Sequence, residues 1–140
     1  MREIKFRGQD VGTGRWIYGY LMLIYVNGRN EKGFIYDDKA KIYDQEGGEA
    51  KCYDVIAKTV GQYTGLKDKN GVEIYEGDIV KWVEEESEIY EVKYFGDDNY
   101  PAFDLDGWGG DNNGLSELVG HQHCSLEIIG NIVNNKNILK

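Results

Sequence analysis

The sequence predicts a mostly β fold with little helix, and three features of composition and pattern predict it. Aromatic residues are numerous, with 11 Tyr, 4 Phe and 3 Trp, and they occur together with β-branched residues. The 19 Gly divide the chain into short runs. No long stretch has the apolar spacing of an amphipathic helix. We therefore expect an N-terminal antiparallel sheet lobe over residues 1–60 and a C-terminal SH3-like small β-barrel lobe over residues 61–140.

The N-terminal lobe begins with a predicted strand around Glu3–Arg7 and a turn at Gly8–Gly14. The next run, Arg15–Val26, is so continuously apolar that it predicts a strand covered on both faces. Asn27-Gly28 favours a two-residue hairpin turn, because both residues tolerate positive φ, and this turn leads into a strand over Gly33–Tyr36.

The middle of the chain is predicted to be less regular. Residues Asp37–Lys51 are polar and contain Gly47-Gly48, so we expect a mobile loop whose only regular element is one short strand around Ile42. The apolar pattern resumes with a predicted strand over Val55–Tyr63, which is followed by a turn at Leu66–Gly71.

Within the C-terminal lobe, the second hairpin signal, Asn70-Gly71, leads into a predicted strand over Val72–Tyr75. Gly77-Asp78 then reverses the chain into a strand over Ile79–Val83. Such a Gly-Asp entry is frequent in SH3-like barrels, and this analogy is the reason for expecting a barrel here. Within Ile89–Phe95, Tyr90, Val92 and Tyr94 alternate with charged Glu91 and Lys93, which predicts a half-buried strand.

The last segments are shorter. A strand is expected over Tyr100–Leu105, and a loop rich in Gly, Asp and Asn follows at Asp106–Gly114. Leu115–Val119 fits a strand or a helical turn. Leu126–Val133, interrupted by one Gly, is predicted to be the closing strand.

The charge balance excludes several function classes. Sixteen basic and 25 acidic residues give a net charge of −9, which repels nucleic-acid phosphates and anionic lipid headgroups over most of the surface. The dense basic patches, Lys5 with Arg7 and Lys67 with Lys69, are short. We therefore expect no membrane binding and no general coating of nucleic acid.

The cysteines and the apolar runs bear on localisation. Cys52 and Cys124 lie far apart, and Met1–Arg7 is charged, unlike a secretory signal. We expect reduced thiols and a cytoplasmic protein. The longest apolar run, Trp16–Val26, is well short of the roughly 20 residues that a spanning helix requires.

Three segments have a specific order and spacing: Arg2–Gly8, Thr59–Gly71 and Ile74–Val80. Together they resemble the YopX-type family of phage proteins, and Leu126–Ile132 resembles the family's ending, so the likeness spans nearly the whole chain. The tail departs from the family pattern, because Asn134–Asn137 stand where a Pro and a short apolar end are common. The resemblance implies a phage or prophage origin and a mostly β fold, and it implies no reaction or catalytic residue.

The most metal-like group is formed by His121, His123 and Cys124, because both imidazoles of an H-x-H pair point to one face of a strand. The group is incomplete for a structural zinc site, so a polar surface turn is the preferred interpretation. His123 and Cys124 are adjacent and project to opposite faces, so they cannot form a catalytic pair. The acidic run Glu84–Glu88 lacks the ligand order of a calcium loop. We expect no metal, no cofactor and no catalytic site.

The leading hypothesis is therefore a non-enzymatic phage accessory protein. It would bind an unknown phage or host protein, or a second copy of itself, through aromatic surface and exposed strand edges. Trp108, in a Gly-rich loop, is the candidate interface residue, since an exposed Trp commonly anchors an interface.

Two other functions remain open. The first is single-strand nucleic-acid binding by the predicted barrel, with bases stacked on aromatic rings in a locally positive groove. The candidates for that role are Tyr63, Lys67, Lys69, Lys81 and Trp82. The second is an enzyme whose site assembles only with its substrate, which a deep pocket with converging polar groups would indicate.

Overall fold

The structure is a computed structural model that describes residues 3–23, 39–46, 49–85, 88–96, 100–110, 112–120 and 124–139. Across these residues it contains ten β-strands, one short α-helix and two 3₁₀ turns, so the prediction of a mostly β fold with little helix is confirmed. The chain divides into two compact units, Met1–Gln62 and Tyr63–Lys140. None of the described helices has the length and apolar character needed to span a bilayer.

The N-terminal unit is built on a meander of four antiparallel strands in the spatial order β4-β3-β2-β1. The strands are β1 (Phe6–Gln9), β2 (Trp16–Leu23), β3 (Lys39–Glu46) and β4 (Glu49–Ile56). On the other side of β1, Gly61 and Gln62 at the start of β5 (Gly61–Lys67) pair with Arg7 and Phe6.

Asp10 organises the turn between β1 and β2. Its Oδ1 accepts hydrogen bonds from the backbone N–H of Gly12 at 2.8 Å and of Thr13 at 2.9 Å. Both bonds favour the ionised carboxylate and therefore hold the pKa of Asp10 below its ordinary value. The bond from Thr13 lowers the pKa more than the bond from Gly12 does. Asp10 also forms an isolated bridge to Val55, so the end of β1 reaches β4.

The described side chains of this unit form one buried apolar cluster. Its members are Ile17, Ile42 and Val55. Gly8 lies against them, because a Cβ added there would stand 3.0 Å from two side-chain carbons of Val55 and 3.3 Å from Ile42 Cδ1. A residue without a side chain therefore allows β1 to approach this cluster.

Two predictions for this unit are wrong. The polar stretch Asp37–Lys51 was expected to be a loop, but its described residues belong to β3 and β4, which pair over their whole length from Lys39↔Ile56 to Glu46↔Glu49. The polar composition concealed both strands, which form through their pairing with each other. The expected single strand over Val55–Tyr63 is also divided, since a 3₁₀ turn at Ala57–Thr59 separates β4 from β5.

A third expectation for this unit is corrected by the exposure of two side chains. The run Arg15–Val26 does not form a strand covered on both faces, because Tyr18 is 45% exposed and Tyr20 is 60% exposed. The Asn27-Gly28 hairpin and the strand at Gly33–Tyr36 fall outside the residues that the structure describes.

The C-terminal unit contains an open antiparallel sheet in the order β10-β7-β8-β9. Its elements are β6 (Glu73–Tyr75), β7 (Asp78–Trp82), β8 (Ile89–Tyr94), β9 (Phe103–Leu105), α1 (Gly114–Val119) and β10 (Leu126–Asn131). β6 forms a hairpin with β5, in which Tyr63 pairs with Tyr75. No sheet closes on itself within the described part of the chain, so the SH3-like barrel is not confirmed.

The described residues of the C-terminal unit include a core of eight buried side chains: Ile74, Val80, Tyr90, Val92, Leu105, Leu115, Leu118 and Leu126. Half-buried Trp82 and Trp108 pack against this cluster. Strand β10 is bulged between Ile128 and Gly130, near the interruption that the sequence predicts.

Candidate interaction surface

Strand β2 has one buried face and one exposed face. Ile17 and Gly19 are buried, whereas Tyr18 and Tyr20 between and after them are exposed at 45% and 60%. Successive side chains of a strand point to opposite sides, so the two phenol rings project from the same side, away from the core cluster of Ile17. This alternation places two large, partly apolar rings in solvent on a strand that has a neighbour on each side.

Arg7 and Trp16 border the two tyrosines. Arg7 of β1 is the register partner of Tyr18, and paired residues in an antiparallel ladder share a face. The guanidinium carbon of Arg7 lies 4.5 Å from the centre of the Trp16 ring, which is a cation–π contact. Arg7 itself is only 6% exposed. This contact fixes Trp16 beside Tyr18, so the aromatic stripe is held rigidly at one end.

The same side of the sheet continues, by register, to β4. Tyr20 pairs with Tyr43 of β3, and Tyr43 pairs with Cys52 of β4, so these register positions share one face. Cys52 is exposed with a free thiol. We call the surface formed by Arg7, Trp16, Tyr18, Tyr20 and Cys52 the tyrosine face.

Charge is distributed very unevenly between the two units. Residues 1–62 contain ten basic and nine acidic side chains, a net charge of +1. Residues 63–140 contain six basic and sixteen acidic side chains, a net charge of −10, and the two values give the −9 of the whole chain. The tyrosine face therefore lies on the nearly neutral unit.

In the C-terminal unit, buried Asp68 connects a turn to a distant strand. Its Oδ1 accepts from the backbone N–H of Asn70 at 2.8 Å and of Val72 at 3.0 Å, which shapes the β5–β6 hairpin. Its Oδ2 accepts from the N–H of Ile128 in β10 at 3.1 Å. The carboxylate therefore serves three backbone donors at a site that is only 5% exposed.

Other polar residues of this unit have similar roles. Asp78, 1% exposed, accepts the backbone N–H of Tyr75 at 2.8 Å, and Thr64 donates to the carbonyl of Ile74 at 2.8 Å. Asp104 Oδ1 accepts from the N–H of Gly114 at 2.9 Å at the start of α1. These contacts stabilise turns and a helix end.

Trp108 packs within the C-terminal unit. Its ring centre lies 5.9 Å from those of Trp82 and Tyr90, and the indole N–H groups of both tryptophans are buried without a hydrogen-bond partner. A Cβ at Gly114 would stand 2.4 Å from Trp108 Cδ2, so glycine is required for this packing. Internal packing accounts for this side chain, and its proposed interface role stays a prediction.

The five residues suggested for nucleic-acid stacking are not assembled into one open surface. Tyr63 is 7% exposed and packs on Tyr75 at 5.5 Å, and Trp82 packs on Trp108. Lys69 Nζ lies 3.8 Å from a carboxylate oxygen of Glu127, and Glu127 is also the register partner of Lys81. Lys67 lies at the end of β5. A nucleic-acid role for these residues stays a prediction.

The suggested metal group is only partly described. His121 and His123 lie outside the described residues, and the thiol of Cys124 is 3.7 Å from the carbonyl oxygens of Lys67 and Leu126. Elsewhere in the described ranges, no group of three or more His, Cys, Asp or Glu side chains could hold a metal ion.

Strand β8 carries the titratable groups with the clearest shifts. Tyr90 donates its hydroxyl to Glu88 at 2.7 Å, and burial together with this bond raises the pKa of Tyr90 to about 12. Burial also raises the pKa of Glu91, because it disfavours the ionised form. The ion pair of Lys93 with Asp106, 2.9 Å long, raises the pKa of Lys93.

A second exposed aromatic pair lies at the end of the β8–β9 hairpin. Tyr94 is 50% exposed and its ring centre is 5.1 Å from that of Phe103. Tyr100 is 40% exposed and its hydroxyl accepts a hydrogen bond from Asn113. This pair lies on the strongly acidic unit, unlike the tyrosine face.

Sequence reasoning did not single out Tyr18 and Tyr20. The signal that could have found them is the alternation Trp-Ile-Tyr-Gly-Tyr over residues 16–20, in which the amphipathic aromatic residues occupy every second position. This alternation was concealed because tyrosine was counted as apolar, which made the whole run appear continuously apolar.

Comparison with known proteins supports both the fold and the sequence resemblance. A sequence model described as YopX protein matches residues 5–140. The structure of protein EF1440 from Enterococcus faecalis is similar, with a TM-score of 0.57 and 22% sequence identity over 100% of both chains. No curated protein sequence gives a significant match. The family match confirms the resemblance, and the structural match shows a shared fold.

Proposed function

The chain belongs to the YopX protein family, and from this premise we propose that it is a non-enzymatic phage or prophage accessory protein. It acts in the cytoplasm of the bacterial host and binds another protein through the tyrosine face. Binding, rather than a reaction, is its contribution to the phage.

The observation that carries the proposal is the exposure of Tyr18 and Tyr20 on one side of β2, at 45% and 60%. Tyrosine combines a large apolar ring with a hydroxyl and loses little conformational entropy when it is immobilised, which is why it is enriched at protein interfaces. The rings project from a sheet rather than from a loop, so their positions are fixed before binding. Fixed aromatic residues lower the entropy cost of association.

The polar residues of the family motif support the non-enzymatic part of the proposal. Asp68, Asp78 and Thr64 lie in that motif, and each makes hydrogen bonds to backbone groups of its own unit. A role in folding accounts for them. A general base must instead reach a substrate proton, whereas Asp68 and Asp78 are 5% and 1% exposed and are directed at backbone groups.

Affinity capture from host cells that carry the phage tests this proposal. The tagged wild-type chain is compared with a Tyr18→Ser/Tyr20→Ser variant and with Tyr94→Ser, which removes an exposed tyrosine of the other unit. All lysates are treated with nuclease. We expect a protein partner that the wild type and Tyr94→Ser retain and that the double variant loses.

Two results would contradict the proposal. The first is a partner that the double variant captures as well as the wild type does, since the tyrosine face would then be dispensable. The second is capture that disappears on nuclease treatment in all three proteins, which would favour the nucleic-acid alternative.

A further inference from the structure

Two Asn-Gly pairs of this chain have very different surroundings. Asn70-Gly71 and Asn113-Gly114 both lie in the described ranges, whereas the third such pair, Asn27-Gly28, lies outside them. An asparagine before glycine is open to attack on its side-chain amide by the next backbone nitrogen, because glycine has no side chain to hinder the approach. The reaction requires an Asn side chain that can turn over the following peptide bond, so the contacts of each pair decide whether it reacts.

Asn113-Gly114 is held at both reacting groups. The side-chain nitrogen of Asn113 donates to the Tyr100 hydroxyl at 2.7 Å and to a backbone carbonyl of β9 at 2.8 Å. Its Oδ1 caps α1 by accepting the N–H of Ser116 at 2.9 Å, and the N–H of Gly114 donates to Asp104 at 2.9 Å. Gly114 is also buried. Four hydrogen bonds must therefore break before this side chain can reach the nitrogen of Gly114.

Asn70-Gly71 is open at the same two groups. Both residues are exposed, and within the described part of the chain no hydrogen bond holds the side chain of Asn70. Gly71 has a φ of 80°, and a Cβ built there would meet nothing within 4 Å, so the side chain of Asn70 has room to turn. The N–H of Gly71 donates to the carbonyl of Asp68 at 3.0 Å, in an exposed turn where water can replace that bond.

We propose that Asn70 is a site of spontaneous, age-dependent modification in the folded chain, and that Asn113 is protected from the same reaction. The nitrogen of Gly71 bonds to Cγ of Asn70, the Cγ–Nδ2 bond breaks, and ammonia leaves with the proton of the Gly71 N–H. Water then opens the cyclic imide. Opening at the side-chain carbonyl gives aspartate, and opening at the main-chain carbonyl gives isoaspartate, in which the main chain runs through Cγ.

The turn that contains Asn70 is connected to a distant strand. Asp68 Oδ1 accepts from the N–H groups of Asn70 and Val72 at 2.8 and 3.0 Å, and the N–H of Asp68 donates to the carbonyl of Val72 at 2.8 Å. Asp68 Oδ2 accepts from Ile128 at 3.1 Å, and the N–H of Lys69 donates to the first carbonyl of β10 at 2.9 Å. The geometry of this turn therefore positions one edge of the C-terminal sheet.

Modification of Asn70 disturbs this arrangement in two ways. Isoaspartate inserts an extra main-chain carbon before Gly71, so the N–H groups of residues 70 and 72 no longer match the single oxygen of Asp68 that accepts from both. Either product also places a new negative charge close to the Asp68 carboxylate, which is only 5% exposed. We expect the bond from Ile128 to loosen, and isoaspartate to loosen it more than aspartate does.

The first experiment follows the reaction in the folded full chain, incubated in heavy-oxygen water at mildly alkaline pH. Peptic digestion at acidic pH in ordinary water, followed by mass spectrometry, locates each heavy oxygen that imide opening has introduced. We expect incorporation at Asn70 to be at least about tenfold faster than at Asn113, since tenfold in rate is only about 1.4 kcal/mol of barrier and several hydrogen bonds protect Asn113. In concentrated urea the two rates should become similar.

Asn70→Gln is the matched control, because it keeps a side-chain amide that would have to close a larger and less favourable ring. It should abolish the label in its peptide. Label that persists in Asn70→Gln, equal rates at Asn70 and Asn113 in the folded chain, or no incorporation at Asn70 would each overturn the site.

The second experiment measures the consequence for β10. Ion exchange separates the modified chain by its added charge, and an isoaspartate-specific methyltransferase measures its isoaspartate content. Hydrogen exchange at the amide of Ile128 should be faster in this fraction, in proportion to that content. Freshly prepared Asn70→Asp adds only the charge and should change the exchange less. Exchange at Ile128 that is identical in modified and unmodified chains would overturn the proposed effect on β10.

Discussion

Two pairs of aromatic residues, one pair in each unit, are placed in opposite ways. In the C-terminal unit, Trp82 and Trp108 point toward a core of eight buried residues. In the N-terminal unit three described side chains form a buried cluster, and Tyr18 and Tyr20 project from the opposite face of the sheet. The contrast holds for these two pairs of residues, because the C-terminal unit also exposes one ring on a strand, that of Tyr94 on β8.

This difference separates the basis of the family resemblance from the candidate binding surface. The most specific motif, Thr59–Gly71 with Ile74–Val80, lies largely in the C-terminal unit, and its buried Asp68 and Asp78 hold turns and strands together. The tyrosine face lies in the N-terminal unit. The family motif therefore says more about how the chain folds than about what it binds.

The largest effect should come from Asp68 in the C-terminal unit. Asp68→Ala leaves three backbone N–H groups without their acceptor, two in a turn and one in β10. The three hydrogen bonds are partly buried, so each loss costs about 1 kcal/mol, and we expect the free energy of unfolding to fall by about 3 kcal/mol. Urea denaturation followed by tryptophan fluorescence measures this loss.

Asp68→Asn is the matched control for that change, because its amide oxygen can still accept from the turn. It should lose clearly less stability than Asp68→Ala. Equal losses would mean that the carboxylate acts through its charge and not as an acceptor for the turn.

A smaller loss is expected where α1 begins. Gly114→Ala places a Cβ within 2.4–2.5 Å of Trp108 Cδ2 and Cγ, so the indole must move out of its packing. Overpacking of this kind costs about 1–3 kcal/mol. Gly109→Ala is the control, because a Cβ there meets nothing within 4 Å. Denaturation and the Trp108 emission wavelength should both change for Gly114→Ala, and a normal spectrum would show that the ring is not confined there.

The two faces of β2 offer a third comparison, within the N-terminal unit. Ile17→Val removes one buried methylene group and should cost about 0.5–1.5 kcal/mol. Tyr20→Thr keeps a residue with high strand propensity at an exposed position and should change the free energy of unfolding by about 0.5 kcal/mol or less. A larger loss from Tyr20→Thr, in thermal denaturation of dilute protein, would place that ring among the groups that hold the fold.

The smallest effect concerns pH and Tyr90. Its pKa in the folded chain is about 12, above the ordinary value of 10.0, so its contribution to stability is complete below pH 10 and is lost as pH rises from 10 to 12. Glu88→Gln removes the negative charge but keeps an acceptor oxygen, so it should lower this pKa, while burial, the largest cause, keeps it above 10. Phenolate absorbance titrations of wild type and Glu88→Gln, with Tyr90→Phe to identify the signal of Tyr90, measure its pKa. An unchanged pKa in Glu88→Gln would exclude the charge of Glu88 as a cause.

Local turn chemistry explains which parts of the fold were predictable. Asn70-Gly71 and Gly77-Asp78 were predicted to reverse the chain, and Gly71 and Gly77 have φ values of 80° and 91°, which other residues rarely adopt. The alternation at Ile89–Phe95 was likewise confirmed by buried Tyr90 and Val92 on β8. In each case the signal lies within a few residues of the structure that it predicts.

Pairing between distant segments explains what was missed. Strands β3 and β4 are polar, and they form because they pair with each other and because β3 pairs with β2. Trp108 lies in a Gly-rich loop that suggests exposure, yet Trp82 and Tyr90 from two strands pack on its ring. Neither arrangement leaves a pattern in the local sequence.

The sequence by itself determined the strand-rich class, the tight turns at Asn70-Gly71 and Gly77-Asp78, and the family. These depend on backbone preferences and motif spacing, which are properties of neighbouring residues. Only the tertiary structure decided that Tyr18 and Tyr20 face solvent and that Asp68 accepts from Ile128, sixty positions away. The physical reason is that burial and strand register are properties of pairs of distant segments, and a strand's exposed face is defined only once its neighbours are in place.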